Sequence, residues 1–388
     1  MHLSFLLVLP LALAAPSLKK RSKPAPLIVP RHANVISDRY IVKFKESCEV
    51  SVLEDAISGM SASADHIYRN MFKGFASNLD KITLSALRDH PEVEYVEMDG
   101  FSTISGLSQR DAPWGLGRIS NQKPGSTVYN FDESAGQGTC AYVLDTGVDD
   151  SHQDFHGRAK QIVSFIEGQE SDGNGHGTHV AGTIGSTTYG VAKKAQIFGV
   201  KVLDDKGSGP NSAIISGMEY VVKDKDQRQC PNGVVANLSL SGESSDALNQ
   251  AAAALVRSGV FVGVAAGNED EDASKFSPAS EPSVCTVGGT AEDDTRYNNS
   301  NWGSAVNILA PAVDILSLRA GGGTTTMTGT SMATPHVVGL AAYLSALRGA
   351  NGIMSLCRRI QRLAVQNAIE DEPEDTANLL AYNGAGRR

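Results

Sequence analysis

From Trp114 onward the chain alternates short apolar runs with stretches of helical spacing. The runs are residues 140–144, 196–203, 234–240, 260–265 and 285–288, and the helical stretches lie at 177–185, 212–222, 246–257 and 330–347. Strands this short and this uniformly apolar have both faces buried, which requires helices on both sides of a parallel sheet. The expected fold class is therefore α/β, a three-layer, doubly wound and mainly parallel sheet. Sheets of this kind place their chemistry at the carboxyl ends of the strands. No internal repeat competes with this reading.

The upstream part has a different rhythm. Residues 40–44 alternate like a half-buried strand, 51–60 have helical spacing, and 67–79 hold two strand-like pieces around Gly74. Leu84, Leu87 and the stop at Pro91 indicate a second helix, and 93–96 a last strand. The order β-α-β-β-α-β makes a small α+β, ferredoxin-like module over about 38–104. Residues 17–33, rich in Lys, Arg and Pro, read as an unstructured spacer, and Gly106, Ser108 and Gln109 as an exposed linker. At the start, an apolar run at 3–13 ends in small residues, with Ala12 and Ala14 placed for cleavage near residue 15. That is the pattern of a secretory signal peptide at 1–15, too short to span a bilayer. A secreted, extracellular protein with no membrane anchor is expected.

Export permits disulfides. The five cysteines are Cys48, Cys140, Cys230, Cys285 and Cys357; losing the segment that carries Cys48 leaves four, which can pair completely. A net charge of -9 argues against nucleic acid as a partner. The acidic run at 370–375 reads as a solvated surface segment.

Three glycine-framed motifs carry the chemistry. Val143-Leu144-Asp145-Thr146-Gly147 puts an acid at the end of a buried strand. Asp172-Gly173-Asn174-Gly175-His176-Gly177-Thr178-His179 puts a histidine at a helix start. Gly329-Thr330-Ser331-Met332-Ala333-Thr334-Pro335 does the same for a serine, with Pro335 expected in the first turn. A serine hydroxyl is a weak nucleophile until a base removes its proton, the task of His176; Asp145 would orient the imidazole and stabilise its charge. The Ser331 N–H and the side-chain amide of Asn268, in Ala265-Ala266-Gly267-Asn268, would receive an oxyanion. His152, His156, His179 and His336 are expected to pack or support, because no Cys/His/Asp cluster has metal-ligand spacing.

The order Asp, His, Ser in these contexts resembles the subtilisin-like serine peptidases, or subtilases, and more closely their fungal proteinase K group. The resemblance extends to Ala112-Pro113-Trp114-Gly115-Leu116, Lys201-Val202-Leu203-Asp204-Asp205, the stretch from Ser277 to Thr286, and Leu379-Leu380-Ala381-Tyr382-Asn383. It implies a subtilisin-like fold at 107–388, preceded at 16–106 by a propeptide that serves as inhibitor and folding template. It implies a monomeric serine endopeptidase, needing no cofactor for catalysis, whose partners are protein and peptide substrates and its own propeptide. Extended substrate would pair as a strand between Gly207-Ser208-Gly209 and Ser239-Leu240-Ser241. Ala265, Ala266 and Gly267 would wall a pocket roomy enough for an apolar or aromatic side chain before the scissile bond. Matching cysteines gives Cys140–Cys230 and Cys285–Cys357.

The chain departs from that group in places. Ser241 stands where Gly is usual, and its hydroxymethyl either narrows the pocket or points outward. Asn307 stands where an Asp binds calcium with the carbonyls of Pro282 and Val284, so a weakened or absent calcium site is expected. Val180 replaces a frequent free Cys, and Pro210-Asn211 alters a more distant subsite. Asn298-Asn299-Ser300 fits a glycosylation acceptor in a loop; Asn237-Leu238-Ser239 fits too but lies in a buried strand. Nothing in the residues supports a catalytically silent, peptide-binding relative, because all four catalytic positions are intact. An α/β-hydrolase esterase would order its triad Ser, Asp, His, which this chain does not.

Overall fold

The computed structural model describes residues 21–29, 35–60, 63–100, 106–348 and 355–385. The signal segment at 1–15 lies outside the described residues. The chain divides into two compact units, one ending at Ile104 and the other spanning 105–387.

In the first unit the elements are β1 (Leu27–Ile28), β2 (Val35–Phe44), α1 (Val50–Ser58), β3 (His66–Tyr68), β4 (Gly74–Asn78), α2 (Lys81–Asp89) and β5 (Val93–Gly100). The sheet order is β1-β5-β2-β4-β3, the ferredoxin-like arrangement with one strand added at its edge. That added strand corrects the expected spacer: β1 pairs in parallel with β5, and Ala25 beside it is fully buried. Arg88 Nε donates to Ala25 O at 2.9 Å, fixing a segment that has no periodicity of its own. Asp80 caps α2 by accepting from Thr83 N–H at 2.7 Å, and burial pushes the free thiol of Cys48 up.

The second unit opens with β6 (Leu107–Gln109), α3 (Trp114–Ile119), β7 (Tyr129–Phe131), β8 (Cys140–Asp145), β9 (Ala159–Ser164), α4 (His176–Gly185), β10 (Gln196–Lys201), α5 (Asn211–Asp224) and β11 (Val234–Leu238). It continues with β12 (Gly242–Glu243), α6 (Asp246–Arg257), β13 (Val260–Ala265), β14 (Phe276–Ser277), β15 (Cys285–Thr290), β16 (Ile308–Pro311), β17 (Ile315–Leu318) and β18 (Thr324–Met327). It ends with α7 (Thr330–Arg348), α8 (Leu356–Leu363), β19 (Val365–Gln366) and β20 (Leu379–Leu380). The expected linker is in part a strand, because β6 pairs antiparallel with β7.

The main sheet runs β9-β10-β8-β11-β13-β15-β16-β20-β19, parallel throughout except for the last pair. Its two faces follow from strand periodicity. Ala141 and Val143 of β8 join a core with α4 and α7, while Cys140, Tyr142 and Leu144 join a second core with α5 and α6. Truncating a buried aliphatic in either core costs about 2–5 kcal/mol. After β8 the chain places β9 and β10 on one side, then crosses to β11 on the other. The crevice beyond the carboxyl ends of β8 and its neighbours is thus the switch point where open α/β sheets bind ligands. Disulfides join Cys140 to Cys230 and Cys285 to Cys357, closing separations of 90 and 72 residues. The acidic run near the end is not uniformly solvated: burial pushes the Glu372 carboxyl up to about 7.

Candidate active site

Asp145 is the last residue of β8 and is fully buried. Its Oδ1 accepts from Thr146 N–H at 2.7 Å and from His176 Nδ1 at 2.8 Å. Its Oδ2 is buried and accepts no hydrogen bond among the described residues. A buried carboxylate in hydrogen-bond contact favours a positive charge on its neighbour. Burial pushes the His176 imidazole down, but the charge and hydrogen bond of Asp145, helped by the charge of Asp172, outweigh it. The result lies above the ordinary imidazole value.

His176 is the first residue of α4, and the helix start is built by Asp172. Asp172 Oδ1 accepts from Gly175 N–H and Thr146 Oγ1, both at 2.8 Å, and Oδ2 from Thr178 N–H at 2.9 Å and Thr178 Oγ1 at 2.5 Å. Thr146 Oγ1 in turn accepts from Gly177 N–H at 2.9 Å. The donors left unpaired at the helix start are thereby used to bolt the histidine loop onto the aspartate loop. Gly177 permits the approach, since a Cβ there would stand 2.0 Å from Gly147 O.

Ser331 is the second residue of α7. Pro335 lies beyond the first turn, contrary to the sequence expectation, and its position explains a contact. Proline has no N–H to give the carbonyl four residues earlier, so Ser331 O is left without its helical donor. Ser239 Oγ fills the gap at 2.8 Å, steadied by Asn237 Nδ2 at 2.9 Å. The Ser331 hydroxyl donates to Ser239 O at 3.2 Å. Ser239 therefore grips the serine at both ends.

Asn268 lies exposed in the loop after β13. Its Oδ1 accepts from Thr330 N–H at 2.8 Å and Thr330 Oγ1 at 3.1 Å. Occupying the oxygen leaves Nδ2 available as a donor, and the bonded Thr330 is the residue before Ser331.

The other expected residues fall around this centre. Gly207, Ser208 and Gly209 follow β10, and Gly209 fits only as glycine because a Cβ would meet Val202 O at 2.1 Å. Ser239, Leu240 and Ser241 follow β11 and lie outside every sheet; Ser241 is exposed. Ala265, Ala266 and Gly267 are buried at the end of β13. His179 and His336 are buried and pushed down to about 4 by that burial, each bonded to a carbonyl, of Ile315 and Met332 respectively. His152 Nε2 meets Gly323 O at 2.9 Å, and His156 ends a short turn in the left-handed region. Val180 is buried in the core behind α4.

Pro282, Val284 and Asn307 do not fit a tight calcium site. Asn307 Oδ1 accepts from Thr286 N–H at 2.8 Å, and the set brings no carboxylate to a cation that takes six to eight oxygens. Asn298 is exposed in a turn, whereas Asn237 is fully buried.

Lys201 went unnoticed in sequence except as part of a motif. It is fully buried, and its Nζ donates to Thr146 O at 2.6 Å and Asp205 Oδ1 at 2.9 Å. It thereby ties the aspartate loop to the segment carrying residues 207–209. Asp172, Thr146 and Thr330 lie within the three glycine-framed motifs, but their holding roles have no local signature, since Asp172 is three residues before the N-cap Gly175.

Comparison with known proteins places the whole chain. Residues 136–386 match the model of the Subtilase family, and residues 39–104 match Peptidase inhibitor I9. The chain belongs to the subtilase family. It is 54% identical over 388 residues to a cuticle-degrading protease of Metarhizium anisopliae, covering 99% of this chain and 100% of that one. It is likewise 54% identical over 387 residues to Proteinase R of Parengyodontium album, with 99% of both chains covered. A solved cold adapted subtilisin-like serine proteinase matches with a TM-score of 0.67 and 43% identity, over 70% of this chain and 98% of that one. The protein is thus a subtilisin-like serine peptidase, related to fungal proteases of the proteinase K group, with a subtilisin-type α/β fold and an N-terminal inhibitor domain.

Proposed function

We propose that this subtilase is a secreted endopeptidase of broad specificity, made as an autoprocessed zymogen and favouring apolar or aromatic residues before the scissile bond. Ser331 is the nucleophile, His176 the general base and Asp145 its orienting carboxylate; the Ser331 N–H and Asn268 Nδ2 form the oxyanion hole. The observation that carries this reading is the 2.8 Å bond from His176 to a fully buried Asp145.

The Ser331 hydroxyl leaves Ser239 O by rotation about its side chain and passes its proton to His176 Nε2 as Oγ attacks the peptide carbonyl. Negative charge gathers on the former carbonyl oxygen, where the Asn268 amide and the N-terminal end of α7 stabilise it. His176 then returns the proton to the leaving amine, and water resolves the acyl-enzyme by the same relay. Substrate lies as a strand between residues 207–209 and 239–241, with its side chain against Ala265, Ala266 and Gly267.

The segment from 16 to 106 is a propeptide whose module at about 38–104 serves as inhibitor, and maturation occurs near Leu107. Supporting this boundary, Leu107 opens β6, which pairs inside the peptidase unit and so remains after cleavage. Catalysis needs no cofactor, and calcium is at most weakly held at Pro282, Val284 and Asn307. Asn298 is the glycosylation acceptor. The test is digestion of a peptide library by purified mature protein beside Ser331→Ala. Cleavage after bulky apolar residues by the first and none by the second is expected; equal cleavage by both refutes the assignment.

A further inference from the structure

An amide on an exposed loop does not by itself hold the tolerance that transition-state hydrogen bonding demands. The loop bearing Asn268 rests on Asn301, which is almost fully buried. The Asn301 side chain directs all four of its hydrogen bonds at that loop. Nδ2 donates to Ala266 O at 3.0 Å and Glu269 Oε2 at 2.7 Å. Oδ1 accepts from the N–H groups of Glu269 and Glu271, both at 3.0 Å. Its backbone N–H donates to Gly267 O at 3.0 Å. Asn268 is thus bracketed on both sides by residues that one amide holds. Gly267 lets the loop settle there: it sits at φ +107°, and a Cβ would stand 2.2 Å from Asn301 Nδ2. On its free side Asn268 is pinned by Thr330, so loop and helix fix the same amide from two directions.

We propose that Asn301 is a positioning residue for the oxyanion hole, holding the Asn268 amide where the developing oxyanion forms without itself touching substrate. The inference rests on Asn268 being the oxyanion donor, as proposed above. Simple structural support would lower activity whether or not Asn268 is present. Positioning acts through Asn268 and disappears when its amide is removed.

A double-mutant cycle separates the two. Asn301→Asp keeps the size and the accepting oxygen, but turns lone pairs toward Ala266 O and the Glu269 carboxylate. In the mature enzyme, assayed on a peptide anilide, kcat should fall roughly 10- to 100-fold with KM little changed. In the Asn268→Ala background the same substitution should change kcat by less than about threefold. Should Asn301→Asp fail to fold, as thermal unfolding would reveal, Glu269→Ala breaks one of the four bonds at the surface. It should give a smaller kcat loss that is likewise absent in the Asn268→Ala background. Equal fold-losses in both backgrounds, or full kcat in the Asn301 and Glu269 variants alike, overturn the inference while leaving the oxyanion assignment standing. Full kcat in Asn268→Ala alone overturns that assignment, and the inference with it.

Discussion

Replacing Asp145 with Asn tests how the buried acid works. Asp145 Oδ1 serves two donors, the Thr146 N–H at 2.7 Å and His176 Nδ1 at 2.8 Å. The backbone donor cannot move away. An asparagine that turned its NH2 toward it would set donor against donor, so the amide oxygen stays in place and continues to accept from His176. The imidazole keeps its tautomer and orientation, and what is lost is the negative charge opposite the developing imidazolium. Inverting the tautomer as well costs serine peptidases about 10⁴-fold in kcat. Loss of charge alone should therefore cost less, about 10³-fold or ~4 kcal/mol. The same change removes the influence that holds His176 above the ordinary imidazole value and leaves the burial that pushes it down. The acid limb of the pH–rate profile should consequently move to lower pH. The variant, matured in trans by a trace of wild-type enzyme and then purified, is assayed on a peptide anilide from pH 5 to 10. A kcat within tenfold of wild type, or an acid limb that stays or moves upward, refutes the argument.

In the wild-type enzyme, kcat/KM should rise along an acid limb whose midpoint lies above about 6.5, since only neutral His176 accepts a proton; a midpoint below that value contradicts the charge arrangement. Replacing Cys285 and Cys357 together by Ser should lower unfolding stability by about 4 kcal/mol on the chain-entropy model, read by denaturation of the inhibited enzyme. An unchanged midpoint counts against the bond. Added calcium or a chelator should barely alter the half-life of heat inactivation, given the committed Asn307 amide; a marked slowing by calcium contradicts this. Ser241→Gly should raise cleavage after large aromatic residues relative to alanine if the hydroxymethyl narrows the pocket, and equal ratios dismiss that effect.

The architecture was legible wherever local pattern and tertiary role coincide. Uniformly apolar runs announced β8, β11, β13 and β15, and the glycine-framed motifs announced the starts of α4 and α7. Elements held by partners rather than by their own pattern escaped notice. The two-residue β1 exists because β5 offers it an edge, and β9 carries polar residues because it borders the sheet. The site shows the same division. Asp145, His176, Ser331 and Asn268 lie in recognisable local frames, but the groups that hold them are remote in the chain. Asn301 supports a loop 33 residues earlier, and Ser239 reaches Ser331 across a separation of 92. Neither pairing has a local signature, because each joins segments that only the folded sheet brings together.

The central claim is that Ser331 is an activated nucleophile. A fluorophosphonate probe tests it most directly, because such reagents trap a serine only when a neighbouring base removes its proton. Incubated with mature enzyme and mapped by mass spectrometry, the probe should label one site, Ser331, to near completion. Labelling should vanish in Ser331→Ala and be greatly slowed in His176→Ala. Labelling at a different residue, or hydrolysis that persists undiminished in Ser331→Ala, would contradict the account.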